Sequence, residues 1–189
     1  MPIQLSPPVT EPLQLADVKA WLKIDFADDD AMIAALIPAA RMVVETHTRR
    51  KLLTQTWRLV LDHWPQDNMV ILPLAPFQSI AAITVFDASN QGQSLSASLY
   101  FLDNSPDAAR MLFAIAPPAP QRQIAGINID VVAGYGAGAD SVPQPILQAM
   151  RMLIAHWYED RGDGASVSGA RLPAVVAALL DPFRIMRLT

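Results

Sequence analysis

The feature of this sequence that most limits its possible folds is a change in the spacing of its apolar residues. Between residues 13 and 50 they recur every three or four positions, as on one face of an amphipathic helix. From about 54 to 133 they alternate with polar residues or form short runs ended by proline, as in β-strands. Helical spacing returns from residue 143. A chain with this order contains both kinds of element, and we predict an α+β fold.

Two N-terminal helices are predicted, over about 13–24 and 29–50, and an acidic run precedes the second one. Its members are Asp28, Asp29 and Asp30. Carboxylates accept hydrogen bonds from the free N–H groups of a helix N-terminus, so we interpret the run as helix caps. A cation site is the alternative, but the run lacks the alternating ligands and the glycine of a calcium loop.

A basic run follows at the expected end of the second helix. It consists of Arg49, Arg50 and Lys51. Positive side chains suit the negative end of the helix dipole, which is the interpretation we favour over a phosphate-binding site.

The middle of the chain is predicted to form a mostly antiparallel β region of about 80 residues. Six short strands are expected, at about 56–64, 70–74, 80–86, 99–103, 110–114 and 127–133. A glycine-rich link, Gly134 to Gly138, connects them to a helix over about 143–158, and a last short helix is expected at 172–180. The link lacks the Gly-Lys-Ser/Thr ending of a phosphate loop, so we interpret it as a hinge.

Composition and charge narrow the function. The chain of 189 residues is 52% hydrophobic and only 17% charged, where about 25% is typical, so part of its apolar surface is expected to face other subunits. The net charge of −4 belongs to residues 1–48, which hold three basic and seven acidic side chains. A dedicated DNA-binding protein would instead carry a basic surface.

No pattern of catalytic or metal-binding residues stands out. Cysteine is absent, which excludes disulfides and thiolate chemistry, and His47, His63 and His156 lie far apart. No Gly-x-Ser-x-Gly elbow occurs. No export signal or membrane-spanning stretch is visible, so we expect a cytoplasmic protein without membrane contact. We predict no enzymatic activity, no metal and no cofactor.

The order of several weak motifs resembles one protein family over nearly the whole chain. The motifs are Glu11-Pro-Leu-Gln-Leu-Ala-Asp-Val-Lys-Ala-Trp-Leu-Lys-Ile-Asp25, Asp28-Asp-Asp-Ala-Met-Ile-Ala-Ala-Leu-Ile37, Ala39-Ala-Arg-Met-Val-Val-Glu-Thr-His-Thr-Arg49, Leu53-Thr-Gln-Thr-Trp57, Leu74-Ala-Pro-Phe-Gln-Ser-Ile80, Val131-Val-Ala-Gly-Tyr-Gly136 and His156-Trp-Tyr-Glu159. In order and spacing they resemble the head-tail connector (adaptor) proteins of tailed bacteriophages and phage-derived gene transfer agents, including a branch linked to DNA packaging.

This resemblance implies a domain organisation. A small helical bundle, made of the two N-terminal helices and a C-terminal helix, would comprise residues 1–53 and 139–181. The β region, 54–138, would be an insertion into it, and residues 182–189 would form a C-terminal arm.

The resemblance also implies a structural role in the virion neck. Such proteins, made in the bacterial cytoplasm, assemble as a ring of typically twelve subunits on the portal protein. The ring extends the channel through which DNA passes without sequence-specific binding, and it joins the capsid to a downstream tail-completion or stopper protein. The alternative function is that of a DNA-packaging or DNA-binding accessory protein.

Two sets of site residues follow from this interpretation. The portal-docking arm would use Phe183, Arg184, Ile185, Met186, Arg187 and Leu188. Ordering this tail on a partner would bury apolar surface that a free tail cannot bury alone. The alternative is that the tail caps its own helical bundle. The acidic run and the basic run described above are the candidates for the ring interface or the channel lining.

Overall fold

The structure, a computed structural model, describes residues 2–105, 107–160 and 172–186. The chain divides into two compact units. The helical unit comprises Val9–Leu53 and Gly136–Thr189, and the β unit comprises Met1–Pro8 and Thr54–Tyr135. Helices and antiparallel sheets occur together, so the predicted α+β class is confirmed.

The described residues of the helical unit form four α-helices. They are α1 Leu15–Leu22, α2 Asp30–Thr48, α3 Gln144–Glu159 and α4 Ala174–Leu180. Helix α2 packs against α1 and α3, and α4 packs on α3. Their buried stripes supply the core, with Val18, Ile33, Ile37, Ala40, Val44, Ile146, Met150, Leu153, Ile154, Val176 and Leu180. The helices form in the segments whose apolar residues recur at helical spacing, because that spacing gives each helix one apolar face to bury.

The predicted capping of α2 by the acidic run is wrong. Asp29 occupies the cap position, but its side chain makes no cap hydrogen bond. Instead its Oδ2 accepts a hydrogen bond of 2.6 Å from the Tyr158 hydroxyl on α3. Asp30, in the first turn, accepts a hydrogen bond from the Lys19 ammonium on α1. Donors on neighbouring helices therefore occupy these two carboxylates.

In the described part of the β unit, the strands form two antiparallel sheets. The five-stranded sheet has the order β1-β2-β8-β4-β5, and the three-stranded sheet has the order β3-β7-β6. The strands are β1 Ile3–Ser6, β2 Gln55–Leu61, β3 Met69–Ile71, β4 Phe77–Phe86, β5 Gly92–Ser94, β6 Tyr100–Asp103, β7 Arg110–Phe113 and β8 Ile127–Ala133.

The first strand was not predicted, and it changes one expected boundary. Ile3–Ser6 pairs with β2, so the first eight residues group with the β unit and not with the helices. All four residues of β1 are exposed, and all three of β5 are as well. These edge strands are only four and three residues long and bury neither face, so pairing with a neighbouring strand, and not burial of an apolar face, holds them in place.

Both sheets contribute to one core. In β8 the alternate residues Ile127, Ile129 and Val131 are fully buried. From the three-stranded sheet, Met111 and Phe113 belong to the same apolar cluster. The Phe113 ring meets Trp64 edge-on at 4.8 Å between ring centres. Because successive side chains point to opposite faces of a strand, the alternating apolar residues determine which face of each strand packs into the core.

Candidate interaction surfaces

Among the described residues, no group of three or more histidine, aspartate or glutamate side chains could hold a metal ion. In the same part of the chain, no helix is both long and apolar enough to cross a membrane. The predicted site residues were surface candidates, so their exposure and partners decide what they can do.

The six charged candidates for a ring interface divide into engaged and exposed side chains. Four of them have partners in the helical unit. Asp29 and Asp30 accept hydrogen bonds from the neighbouring helices, and Arg50 donates one to a backbone carbonyl. Lys51 forms an ion pair with Glu45, with Nζ and Oε2 3.5 Å apart. Asp28 and Arg49 are exposed. Arg49 has a left-handed backbone, with a φ of 58°, which ends α2 one residue before it. Asp28 and Arg49 therefore remain the members best placed to meet another molecule.

The beginning of the predicted arm is attached to the end of α2. The Ile185 N–H donates a 3.0 Å hydrogen bond to the Thr48 carbonyl, one of the last carbonyls of the helix. Arg50 Nε donates to the Phe183 carbonyl at 2.5 Å. These contacts agree, as far as Ile185, with the alternative in which the tail caps its own bundle.

Two side chains within and just after that attachment are exposed. Arg184 is exposed, and Met186 is 86% exposed. Arg187 and Leu188, the last two predicted members of the arm, lie outside the described residues. An exposed methionine beside an arginine at the end of an anchored segment can contact a partner without disturbing the helical unit.

A buried ionic cluster in the helical unit was missed by the sequence analysis. Arg41 is 8% exposed and Glu45 5%, with Nη1 and Oε2 3.8 Å apart. Glu11 accepts two hydrogen bonds from Arg41, at 2.8 and 3.1 Å, and Glu45 Oε1 accepts the Leu52 N–H at 3.0 Å. With Lys51, the cluster holds two positive and two negative charges. It links the segment before α1 to both the middle of α2 and the segment that follows α2.

The pKa of Arg41 reflects this environment. Burial by itself would lower the pKa of the guanidinium, but the hydrogen bonds and negative charge of Glu11, together with the charge of Glu45, outweigh it and raise that pKa above its usual value. Arg41 is therefore a permanent cation within the cluster. The spacing of four residues between Arg41 and Glu45 on a predicted helix was the available signal.

A second feature missed from sequence is the outer face of the three-stranded sheet. Phe101 lies opposite Leu112, and Leu112 lies opposite Met69, so the three form one row across the strands. Phe101 is 69% exposed, and the neighbouring Ile71 is 62% exposed. A depression of about 350 Å³ lies on this face. The run of three apolar residues in β7, Met111 to Phe113, was the signal for strands with two apolar faces.

One ion pair borders that apolar row. Arg110 and Asp103 face each other across β7 and β6, and two guanidinium nitrogens lie 2.6 and 3.1 Å from the same carboxylate oxygen. The hydrogen bond from Arg110 holds the pKa of Asp103 below its usual value, which keeps the carboxylate charged. The pair leaves the face without net charge.

Comparison with known families decides the assignment. A family model described as head completion protein matches residues 12–186, which span both units. The chain belongs to the head completion protein family. No curated protein sequence matches it.

Solved structures with similar chains come from gene transfer agent particles. A chain in the neck of an empty particle, computed with C6 symmetry, is 28% identical, with a TM-score of 0.83 over 100% of this chain and 97% of that one. A chain in the neck of a native particle, computed with C12 symmetry, is 29% identical, with a TM-score of 0.75 over 98% of this chain and 97% of that one. A chain in the virion of a native particle gives 29% and 0.77 over the same shares. The resemblance inferred for this head completion protein from its sequence motifs is confirmed.

Proposed function

We propose that this head completion protein is a structural head-tail connector of the virion neck, and that twelve copies of it form a ring on the portal protein. The observation that carries the proposal is the similarity, over the full chain, to a chain found in the neck of a gene transfer agent particle. Because both units are included in that match, the whole fold supports the role.

The symmetry of the similar structures supports a ring. Necks computed with C6 and C12 symmetry contain chains repeated around an axis. A closed ring is built from head-to-tail contacts, so each copy must present two different complementary surfaces. In the helical unit, the exposed Asp28 and Arg49 supply opposite charges that set the register between copies.

The arm is proposed to dock on the portal. Its first residues are held at the end of α2 by the hydrogen bond from Ile185 to Thr48 and by the one from Arg50, just after the helix, to Phe183. Arg184 and Met186 are exposed there. Anchoring the segment before it binds lowers the conformational entropy that docking must overcome. The portal surface should therefore offer an apolar pocket for Met186 and a carboxylate for Arg184.

A DNA-binding accessory role is the weaker candidate. It relied on the basic run, but Arg50 and Lys51 contact a carbonyl and Glu45 within the helical unit. If DNA binding were the function, affinity for duplex DNA would fall steeply with added salt. Filter binding at several salt concentrations measures this, and tight, salt-sensitive binding would favour the accessory role.

The proposed ring is tested by mixing the purified protein with its portal. Electron microscopy of the mixture should show an added ring, with the same axis as the portal and one connector chain for each portal subunit. A protein that stays monomeric and does not bind the portal would contradict the proposal.

Met186→Asp is expected to weaken portal binding at least about tenfold, because a charge cannot enter an apolar pocket without a large desolvation cost. Val175→Asp is the matched control, since Val175 is also exposed in the helical unit but lies on α4, outside the arm. Surface plasmon resonance on immobilised portal measures both affinities. Equal binding by the two variants would show that Met186 has no docking role.

A further inference from the structure

The outer face of the three-stranded sheet has the composition of a covered surface. Its inner face already belongs to the core through Val70, Met111 and Phe113. Strands that are apolar on both faces normally have something packed on each. On the outer face, however, Phe101, Ile71 and Leu112 are exposed. Contiguous apolar surface of this kind marks an interaction site.

The chemistry of this face selects an uncharged partner. Its one charged pair, Arg110 with Asp103, is already satisfied within the sheet. A nucleic acid would require unpaired positive charge, and a strongly charged protein surface would lose hydration here without finding a counter-charge. The occupant should therefore be apolar and neutral.

The β unit carries a second surface that meets this description. Residues 2–8 contain no charged side chain. Within them, β1 forms an edge of the five-stranded sheet, and its Ile3 and Leu5 are 54% and 41% exposed. Each copy thus has one neutral apolar sheet face and one neutral apolar edge strand.

We propose that β1 of one copy packs against the outer face of the three-stranded sheet of the next copy, as a head-to-tail contact of the ring. This inference rests on the proposed connector function, because a ring gives every copy two identical neighbours. A head-to-tail contact needs two different patches on each chain, and the two neutral patches of the β unit fulfil that condition. Burying Phe101 and Leu112 against Ile3 and Leu5 supplies an apolar contact that salt does not screen.

Cross-linking between two variants tests the contact directly. The chain has no cysteine, so each introduced thiol is unique. Copies with Ile3→Cys are mixed with copies with Phe101→Cys in the presence of portal and treated with a short bismaleimide. Covalent connector dimers are expected in the mixture and not with either variant alone. Ile3→Cys mixed with Ile124→Cys is the control, because Ile124 is exposed in the β unit but lies in a loop outside both patches.

A substitution provides an independent measurement. Phe101→Asp should reduce the occupancy of rings on portal at least about tenfold, whereas Ile124→Asp should leave it unchanged. Normal rings with Phe101→Asp, or rings that form from the mixture of Ile3→Cys and Phe101→Cys copies without the cross-linked dimer, would overturn this contact while leaving the connector role intact. A product that joins Phe101→Cys to the portal would assign the face to that partner and overturn the contact as well. Failure of the unmodified protein to form any ring would instead contradict the proposed function.

Discussion

Arg41→Met is expected to lower the free energy of unfolding of the helical unit by about 3 kcal/mol, because it removes one partner from a buried ionic cluster. Methionine fills much of the same volume but cannot pair with Glu11 or Glu45. Glu45, only 5% exposed, would keep Lys51 and the Leu52 N–H but lose its partner on α2. The cluster is left with two carboxylates and one cation, so the charge of the buried Glu45 is only partly compensated, and this is the source of the cost.

Urea denaturation, with hydrogen exchange of the α2 amides as a local readout, measures this effect. Arg41→Lys should lose less stability than Arg41→Met, because it retains the charge but not the two hydrogen bonds to Glu11. Arg151→Met is the matched control, since it makes the same exchange on α3 at a residue that is not a member of the cluster. A loss below about 1 kcal/mol for Arg41→Met would contradict a stabilising role for the cluster.

Phe113→Ala is expected to destabilise the β unit by about 3 to 4 kcal/mol. Phe113 is buried in the core shared by the two sheets, and its ring contacts Trp64 and Tyr100 edge-on. Removing the ring leaves a cavity and ends both aromatic contacts. Leu112→Ala, the adjacent change on the opposite face of β7, should cost less than about 1 kcal/mol, because Leu112 is exposed.

The two variants also separate folding from association. Hydrogen exchange of the β8 amides should accelerate strongly in Phe113→Ala and little in Leu112→Ala. Leu112→Ala should nevertheless assemble poorly into rings on portal, although it remains folded. If Leu112→Ala destabilised the β unit as much as Phe113→Ala, the outer face would be part of the folding core and not an interaction surface.

The main elements could be predicted from sequence because each buries one face. α2 and α3 follow the helical stripe that includes Ile33 and Ile146, and β8 follows the alternation of Ile127, Ile129 and Val131. β1 and β5 could not be predicted, since both are short and exposed, and β1 also depends on β2, about 50 residues later in the chain. The cap interpretation of Asp29 was wrong for a related reason. Nothing near Asp29 in sequence indicates that Tyr158, 129 residues later, donates to its carboxylate.

The sequence predicted the kind of site, an interaction surface, but not which of its residues are exposed. The order of the motifs indicated a connector family. The residue types alone could not show which charged side chains have partners within the fold. Arg50 and Lys51 were grouped with Arg49 because the three are adjacent, yet the fold gives the first two internal partners and leaves Arg49 exposed. To find the apolar row of Phe101, Leu112 and Met69, the strand pairing must be known, because the pairing determines which apolar residues share a face.

The most direct test of the central claim, that this protein joins the head to the tail, is electron microscopy of particles produced in cells that lack it. We predict heads without tails, together with unattached tails, and recovery of complete particles when the unmodified protein is supplied from a second gene copy. Tailed particles in normal numbers without the protein would contradict the connector role.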